Sequence, residues 1–402
     1  RRQRQMCIRD RGKGMLTGTA AALGAFTIAA GAAGTQAASF QSQMQNVGTL
    51  LDGDVQGKLQ GMSKQLKQVS IDTGAATSDL TDGLYQVVSA FGESAESVKQ
   101  LEIAAKAAKA GNATTTDSVN MLSAVTKGYG DTSAAALQKA SDLAFLTVKL
   151  GQTSFPELAS SMGQVVPLAA TMKVSQEELF GAMATLTGVT GGTAEVTTQL
   201  RATMQEFLSP SSQMEKALKK MGYTSGAAAL ESEGLGGILT KLKESVKGDE
   251  VAFANLFSSI ESKNAVLALT GAQADAFAEK TAAMGEAAGA TDRAFNIQTN
   301  SVSAMASKLK NAGSVMLTSL GEKALPYVQD AMQGLIDRMP AITETLGGVI
   351  ERAGPMFGVM ASGISNAVSA CAPVVGRIGS MFSGAFAAAQ PAIASLRDSF
   401  MA

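Results

Sequence analysis

Residues 154–186, SFPELASSMGQVVPLAATMKVSQEELFGAMATL, predict two consecutive helices, each with its own start signal. Ser154 with Glu157, and Ser175 with Glu178, form capping-box patterns, in which a hydroxyl and an acid three residues later satisfy the first free N–H groups. The first pattern also places a proline in the opening turn, where no N–H is needed. Apolar residues then recur at helical spacing, as in Leu179, Met183 and Leu186.

The same helical pattern extends in both directions, from about Phe40 to Ala353. No alternating run of convincing length predicts a strand. From about Asp292 to Pro326 few helix breakers occur, which predicts one helix of roughly 30 residues. The predicted fold class is therefore all-α, with little or no β. Many short amphipathic helices form the core, and long extended helices of coiled-coil type follow it.

Composition favours an assembling chain over a catalytic one. The 402 residues include no histidine and no tryptophan, but 20 methionines and 42 glycines. Without histidine the chain lacks the commonest general base and metal ligand. Much of its apolar content is alanine, so a single copy is expected to bury too little apolar area, and a homo-oligomer is expected. A net charge of -1 implies no bulk attraction to nucleic acid.

The two ends of the chain differ from its middle. Residues 1–13 are basic and resemble a translated sequencing adapter; a disordered basic arm is the alternative. The chain starts at Arg1 and ends at Ala402 without clear boundaries, so it is expected to be a fragment. Cys7 and Cys371 lie near opposite ends and are expected to be unpaired thiols.

Residues 14–38 form a low-charge segment rich in alanine and glycine. Within it, Met15–Gly34 has about the length of a membrane-spanning helix, but its small residues make insertion weak. Two interpretations stay open: a conditional membrane segment, or a helix packed in an oligomer. A second low-charge stretch, Ala353–Gly376, lies in the hydrophobic region 329–402 and is interpreted as an amphipathic packing helix.

Three groups of residues that could in principle bind a ligand or catalyse a reaction are interpreted as structural. Glu177 and Glu178 occupy the first turn of a helix, where acids complement the helix dipole. Residues 188–192, GVTGG, follow a helix and lack the Lys-Ser/Thr of a phosphate loop, so they predict a turn. Lysines on one face, which are Lys99, Lys106 and Lys109, predict a solvated surface. We therefore expect no catalytic, cofactor-binding or metal-binding residues, no cofactor and no enzymatic activity.

The middle of the chain, residues 39–328, resembles the core region of phage tail tape measure proteins. The resemblance rests on separated pieces in a fixed order, and none of them is specific alone. At the opening, Phe40-Gln-Ser-Gln-Met44 matches the family's usual FE-x-x-M, with Gln41 in place of the acid. The other pieces are Ala113–Asp117, Phe155–Ala159, Val165–Ala169, Ser175–Leu179, Leu186–Gly188, Gly191–Gly192, Leu200–Arg201, Phe253–Phe257 and Leu317–Glu322 with Leu325–Pro326.

The resemblance implies a structural virion protein that sets tail length and scaffolds tail assembly inside the tail tube, and that leaves with the genome at infection. It implies localisation in the virion tail, and in the host cytoplasm during assembly. Implied partners are further copies of the chain, the tail tube protein, tail assembly chaperones, tail tip or distal tail proteins and the host membrane during infection, without sequence-specific nucleic acid. The alternative function is a membrane-perturbing or pore-forming helical protein.

Overall fold

The computed structural model describes residues 33–323, 325–326 and 333. All described helices lie in the first of two compact units, Arg1–Leu325; the second unit is Pro326–Ala402. In chain order the helices are α1 (33–48), α2 (Val55–Thr73), α3 (Thr77–Phe91), α4 (Ser97–Gly111), α5 (Thr115–Tyr129), α6 (Ala134–Leu150), α7 (Phe155–Thr171), α8 (Gln176–Leu186), α9 (Thr193–Leu208), α10 (Ser212–Lys220), α11 (Gly226–Ser245), α12 (Glu250–Ala254), α13 (Ile260–Thr270), α14 (Ala274–Gly285), α15 (Ala290–Thr299) and α16 (302–323).

The all-α prediction is confirmed. Among the described residues no strand forms, and β pairing is limited to one isolated bridge between Thr187 and Gly191. The predicted domain boundaries at 13, 38 and 328 stay predictions. Residues 1–32, which include most of Met15–Gly34, and most of 329–402 lie outside the described residues.

Local start signals explain where several helices begin. Ser154 accepts the N–H of Glu157, and Glu157 in turn accepts the N–H of Ser154, so the predicted capping box forms. Ser175 accepts the N–H of Glu178 at 3.2 Å, but the Glu178 carboxylate reaches another helix. The second predicted box is therefore only half formed, because a tertiary partner competes for its acid.

Two helical boundaries differ from the sequence-based prediction. The predicted long helix from Asp292 is divided at Asn300 and Ser301, and the Ser301 hydroxyl accepts the N–H of Ala304 (3.1 Å) to start α16. In the other direction, the glycine, serine and alanine residues of 222–237 predict a loop with short helical pieces, but from residue 226 onward the segment is helical in α11. It contains one break, at Gly234, whose φ of 71° only glycine adopts easily.

One contiguous apolar core joins most of the helices. Helix α4 contacts α2, α3, α5, α6 and α15; beyond it α5 packs on α7, α7 on α9, α9 on α13, and α8 on α14. Small residues let these helices approach closely. A Cβ added to Gly111 would lie 2.5 Å from the Cβ of Phe155, and one added to Gly226 would overlap the Phe207 carbonyl oxygen.

The expectation that one copy buries too little apolar area is therefore wrong for this core. Large side chains such as Phe155, Phe180 and Leu122 are fully buried within a single chain. Glycine and alanine supply the close approach, and leucine, methionine and phenylalanine fill the space that remains. Aromatic contacts add to the filling at the α12 end, where the Phe253 and Phe257 rings meet edge to face with centroids 5.6 Å apart.

Candidate functional site

The paired carboxylates at the start of α8 have separate structural partners. Glu177 pairs with Lys139 of α6 at 2.7 Å. Glu178 Oε1 accepts the N–H of Gly236, two residues after the break in α11. Glu177 therefore forms an ion pair with α6, and Glu178 caps the helical segment of α11 that follows Gly234.

The glycine-rich residues 188–192 form a turn, as predicted. The N–H of Gly188 donates to the carbonyl of Gly191 at 3.1 Å, which closes the turn on itself. The turn follows α8 and leads directly into α9, with Gly192 as the helix-capping residue. Because backbone N–H groups bond within the turn, they do not form the cradle that binds phosphate in a strand-to-helix loop.

The lysine face of α4 is neutralised by acids. Glu102 pairs with Lys106 at 2.9 Å and with Lys99 at 3.0 Å. Partial burial opposes ionisation of Glu102, but the hydrogen bonds and attraction from Lys106 and Lys99 hold its pKa below the usual range. Lys106 also lies 3.8 Å from Asp292 of α15. This network ties α15 to α4 and pairs two of the three lysines of the face, Lys99 and Lys106, with acids.

Buried acids from one helix cap the starts of distant helices. Asp142 of α6 accepts the N–H groups of Gly289 and Thr291 (both 2.9 Å) at the start of α15. Glu206 of α9 accepts the N–H groups of Ser258 and Ser259 (both 2.8 Å) before α13.

Asp79 of α3 does the same for α5, where Thr115 donates to it from both its backbone and its hydroxyl. Each of these carboxylates satisfies N–H groups that the helix itself leaves free. The arrangement fixes the order of helix packing. It was missed at the sequence level, because the partners lie 36 to 149 residues apart.

Open polar clefts occur on the described surface. One of them, about 550 Å³, lies between α1, α3 and α5 and is lined by Gln43, Asn46, Asp82 and Tyr85 among others. Another, of about 520 Å³, lies beside Tyr129, whose hydroxyl donates to the Val174 carbonyl at 3.0 Å. Burial raises the pKa of Tyr129, with Glu177 and Glu178 adding to the rise, so its proton stays in that bond.

Metal-binding clusters and membrane-spanning helices are absent from the described part of the chain. Within 33–323, 325–326 and 333, no cluster of three acids or cysteines has the geometry of a metal site. In the same part of the chain, no helix has the length and apolarity needed to cross a bilayer.

Helix α16 carries an unusual surface. Ten large apolar side chains of the described residues are more than half exposed, and five of them lie on α16. We call these five residues the α16 stripe: Val302, Met305, Leu309, Met316 and Leu320. The apolar residues of this helix therefore lie on two sides, because Val315 points away from the α16 stripe and is buried.

The opposite side of α16 is held by α1 and α2. Lys67 pairs with Glu322 at 2.5 Å, and the Asn311 amide donates to the Gly74 carbonyl at 2.8 Å. Gly321 passes the backbone of Ala33 so closely that a Cβ there would overlap its carbonyl oxygen. Among the described residues, the exposed α16 stripe is therefore the candidate functional site.

Comparison with known proteins gives two matches to phage tail proteins. Residues 63–260 match the family described as phage-related minor tail protein. A probable tape measure protein of Clostridium phage phiCD119 is 24% identical over 340 residues, which is 81% of this chain and 35% of that relative. The chain is related to phage tail tape measure proteins. The predicted resemblance to phage tail tape measure proteins is confirmed.

The match to the tape measure relative covers only part of that protein. The chain spans about a third of the length of the curated relative that it matches. No solved structure matches it. The family model covers α3 to α9 completely, which is the part of the fold where α4, α5 and α7 pack together.

Proposed function

We propose that this chain is part of a tail length ruler and assembly scaffold inside the phage tail tube. Several copies run together through the tube, with the tube protein around them and tail tip proteins at one end. Assembly chaperones hold the chain in the host cytoplasm beforehand, and the chain leaves with the genome at infection. The observation that carries the proposal is the match to a tape measure protein across 81% of the chain.

The fold is compatible with a ruler, since helix is its repeating unit. A helix rises about 1.5 Å per residue, so 402 residues of continuous helix would measure about 600 Å. In the described structure the helices pack side by side instead. A ruler made from this chain must therefore release the helices from one another during assembly, including α16, which the Lys67–Glu322 pair and the Asn311–Gly74 hydrogen bond join to α2.

The test is a series of tail-length measurements. The chain replaces the corresponding region in the tape measure gene of a cultivable long-tailed phage, and one, two or three extra copies of residues 302–323 are inserted after α16. Each copy adds 22 residues, so tails are expected to lengthen by about 33 Å per copy, or 1.5 Å per residue. Electron microscopy of the tails measures the slope.

A length-matched control separates length from helix chemistry. Replacing Leu309 by alanine keeps the residue number, so tail length should stay unchanged. Tails of constant length on viable particles across the insertion series would contradict the ruler proposal. A slope well below 1.5 Å per residue would show that the inserted segment is not extended helix in the tube.

A further inference from the structure

The cleft between α1, α3 and α5 brings polar side chains of three helices around one open space. Its volume of about 550 Å³ falls within the range of small-molecule sites, which is about 300–1,000 Å³. Besides Thr49 and Thr81, the lining offers three amides, a carboxylate, a phenol and a hydroxyl. These groups belong to Gln43, Asn46, Gln86, Asp82, Tyr85 and Thr116.

The apolar core behind the cleft fixes its walls. Asp79 of α3 accepts both the backbone N–H and the hydroxyl of Thr115, which joins α3 to α5. On the other side, Met44 and Val47 of α1 are buried in the same core. The polar groups of the cleft are therefore carried by helices whose positions are set before a ligand binds, which lowers the cost of binding.

The lining side chains differ in how the chain itself uses them. Thr49 and Thr81 donate their hydroxyls to the carbonyls of Asn46 and Thr77, at 2.6 and 2.7 Å. No hydrogen bond or ion pair joins the other six side chains to a described residue. Their hydrogen-bonding capacity is therefore left for a molecule that enters the cleft.

Tyr85 shows this most clearly, because the hydroxyl of a buried tyrosine usually has a partner. Among the described residues, Tyr129 donates to the Val174 carbonyl at 3.0 Å, and Tyr223 donates to the Glu233 carboxylate at 2.6 Å. Tyr85 is also half-buried and packs against the apolar core, but no described residue accepts its proton. Its hydroxyl is therefore available to a ligand.

The composition of the lining argues against two common classes of ligand. It contains no lysine or arginine, so it has no cation to neutralise a phosphate or a nucleic acid. The ten large apolar side chains that are more than half exposed in the described chain all lie outside the cleft. A protein interface normally has such an anchor near its centre. The lining therefore favours a small ligand that is neutral and polar.

We propose that this cleft binds a neutral oligosaccharide. Sugar hydroxyls both donate and accept hydrogen bonds, so they pair with a lining that offers both kinds of group. The Asp82 carboxylate accepts, the Tyr85 hydroxyl donates, and the amides of Gln43, Asn46 and Gln86 do both. The body of the Tyr85 side chain adds an apolar surface for the C–H groups of a sugar ring.

Binding of the full chain to an array of immobilised oligosaccharides tests the proposal. The array carries neutral glycans of hexoses and of N-acetylhexosamines, with acidic glycans for comparison. At least one neutral glycan is expected to bind, and its soluble form is then titrated by calorimetry. Asp82→Asn and Tyr85→Ala should each raise its Kd at least tenfold. Gln45→Ala, at an exposed position of α1 outside the cleft, should leave the Kd unchanged.

Thermal unfolding separates a lost ligand contact from a damaged fold. Asp82 is exposed and has no partner among the described residues, so Asp82→Asn should leave Tm unchanged. An array on which no neutral glycan binds, or only acidic glycans bind, would overturn the proposal. Binding that survives both Asp82→Asn and Tyr85→Ala would also overturn it, since the sugar would then lie elsewhere. The inference does not depend on the ruler proposal, so these variants should leave the tail-length slope unchanged.

Discussion

The core around α4 to α9 and the terminal helix α16 contain similar apolar residues, but these residues are buried in the core and exposed on α16. In the core, Leu122 is fully buried, and buried acids from one helix cap the starts of others. On α16, Leu309 is 76% exposed, and the helix is held to α2 by the Lys67–Glu322 pair and one amide contact. The difference teaches that this chain buries the apolar side chains of its core within one copy and leaves those of the α16 stripe exposed.

The largest expected effect compares the same substitution in the two regions. Leu122→Ala removes a fully buried side chain and should lower the free energy of unfolding by about 2–5 kcal/mol. Leu309→Ala should change it by less than about 0.5 kcal/mol in dilute solution, because its side chain is exposed there. Chemical denaturation of both variants at low protein concentration measures the difference. Equal losses would mean that α16 is as integral to the fold as α5.

A second comparison uses two glutamates. Glu206→Ala leaves the N–H groups of Ser258 and Ser259 without their acceptor and should cost about 1–3 kcal/mol. Glu322→Ala breaks the partly exposed pair with Lys67 and should cost less than about 1 kcal/mol. Exposed Glu231 of α11, replaced by alanine, provides the control for helix propensity. A larger loss for Glu322→Ala than for Glu206→Ala would reverse the proposed order of the two regions.

Acid is expected to act on the capping box at the start of α7, with a smaller effect. The N–H of Ser154, with help from Thr193, holds the pKa of Glu157 below its ordinary value. A carboxyl whose pKa is lowered on folding stabilises the fold above its unfolded pKa of about 4.3, and this stabilisation is lost as the pH falls through the folded pKa.

Thermal unfolding at pH 7 and at pH 3 checks this effect. Glu157→Gln should have the lower Tm at pH 7 and a smaller decrease in Tm on acidification than the wild-type chain. Glu231→Gln, which alters no helix cap, serves as the matched control. If Tm decreases on acidification as much in Glu157→Gln as in the wild-type chain, the α7 cap contributes nothing to acid stability.

Local signals were sufficient to predict much of the fold. The Ser154–Glu157 box and the apolar spacing of α8 depend on residues within one or two turns, and the structure contains both. The break at Ser301 has a local signal too, since serine is a preferred helix cap, but the apolar pattern continues across it.

The rest depends on contacts that are distant in sequence. The apolar residues of α16 predict a single stripe, and only the positions of α1 and α2 determine that Val315 is buried while Met316 is exposed. Likewise, nothing near Asp142 shows that it caps α15, which begins almost 150 residues later. The α16 stripe therefore required the structure, although the residues that form it were visible as a helical repeat.

Hydrogen exchange of the full chain at several protein concentrations tests the division between core and α16 most directly. The amides of α5, α7 and α9 should be strongly protected at every concentration, since their packing is completed within one chain. Amides of residues 302–323 should exchange quickly in dilute solution and become protected as concentration rises and second copies cover the α16 stripe. Protection of α16 that equals the core at all concentrations, or that never rises, would contradict the account.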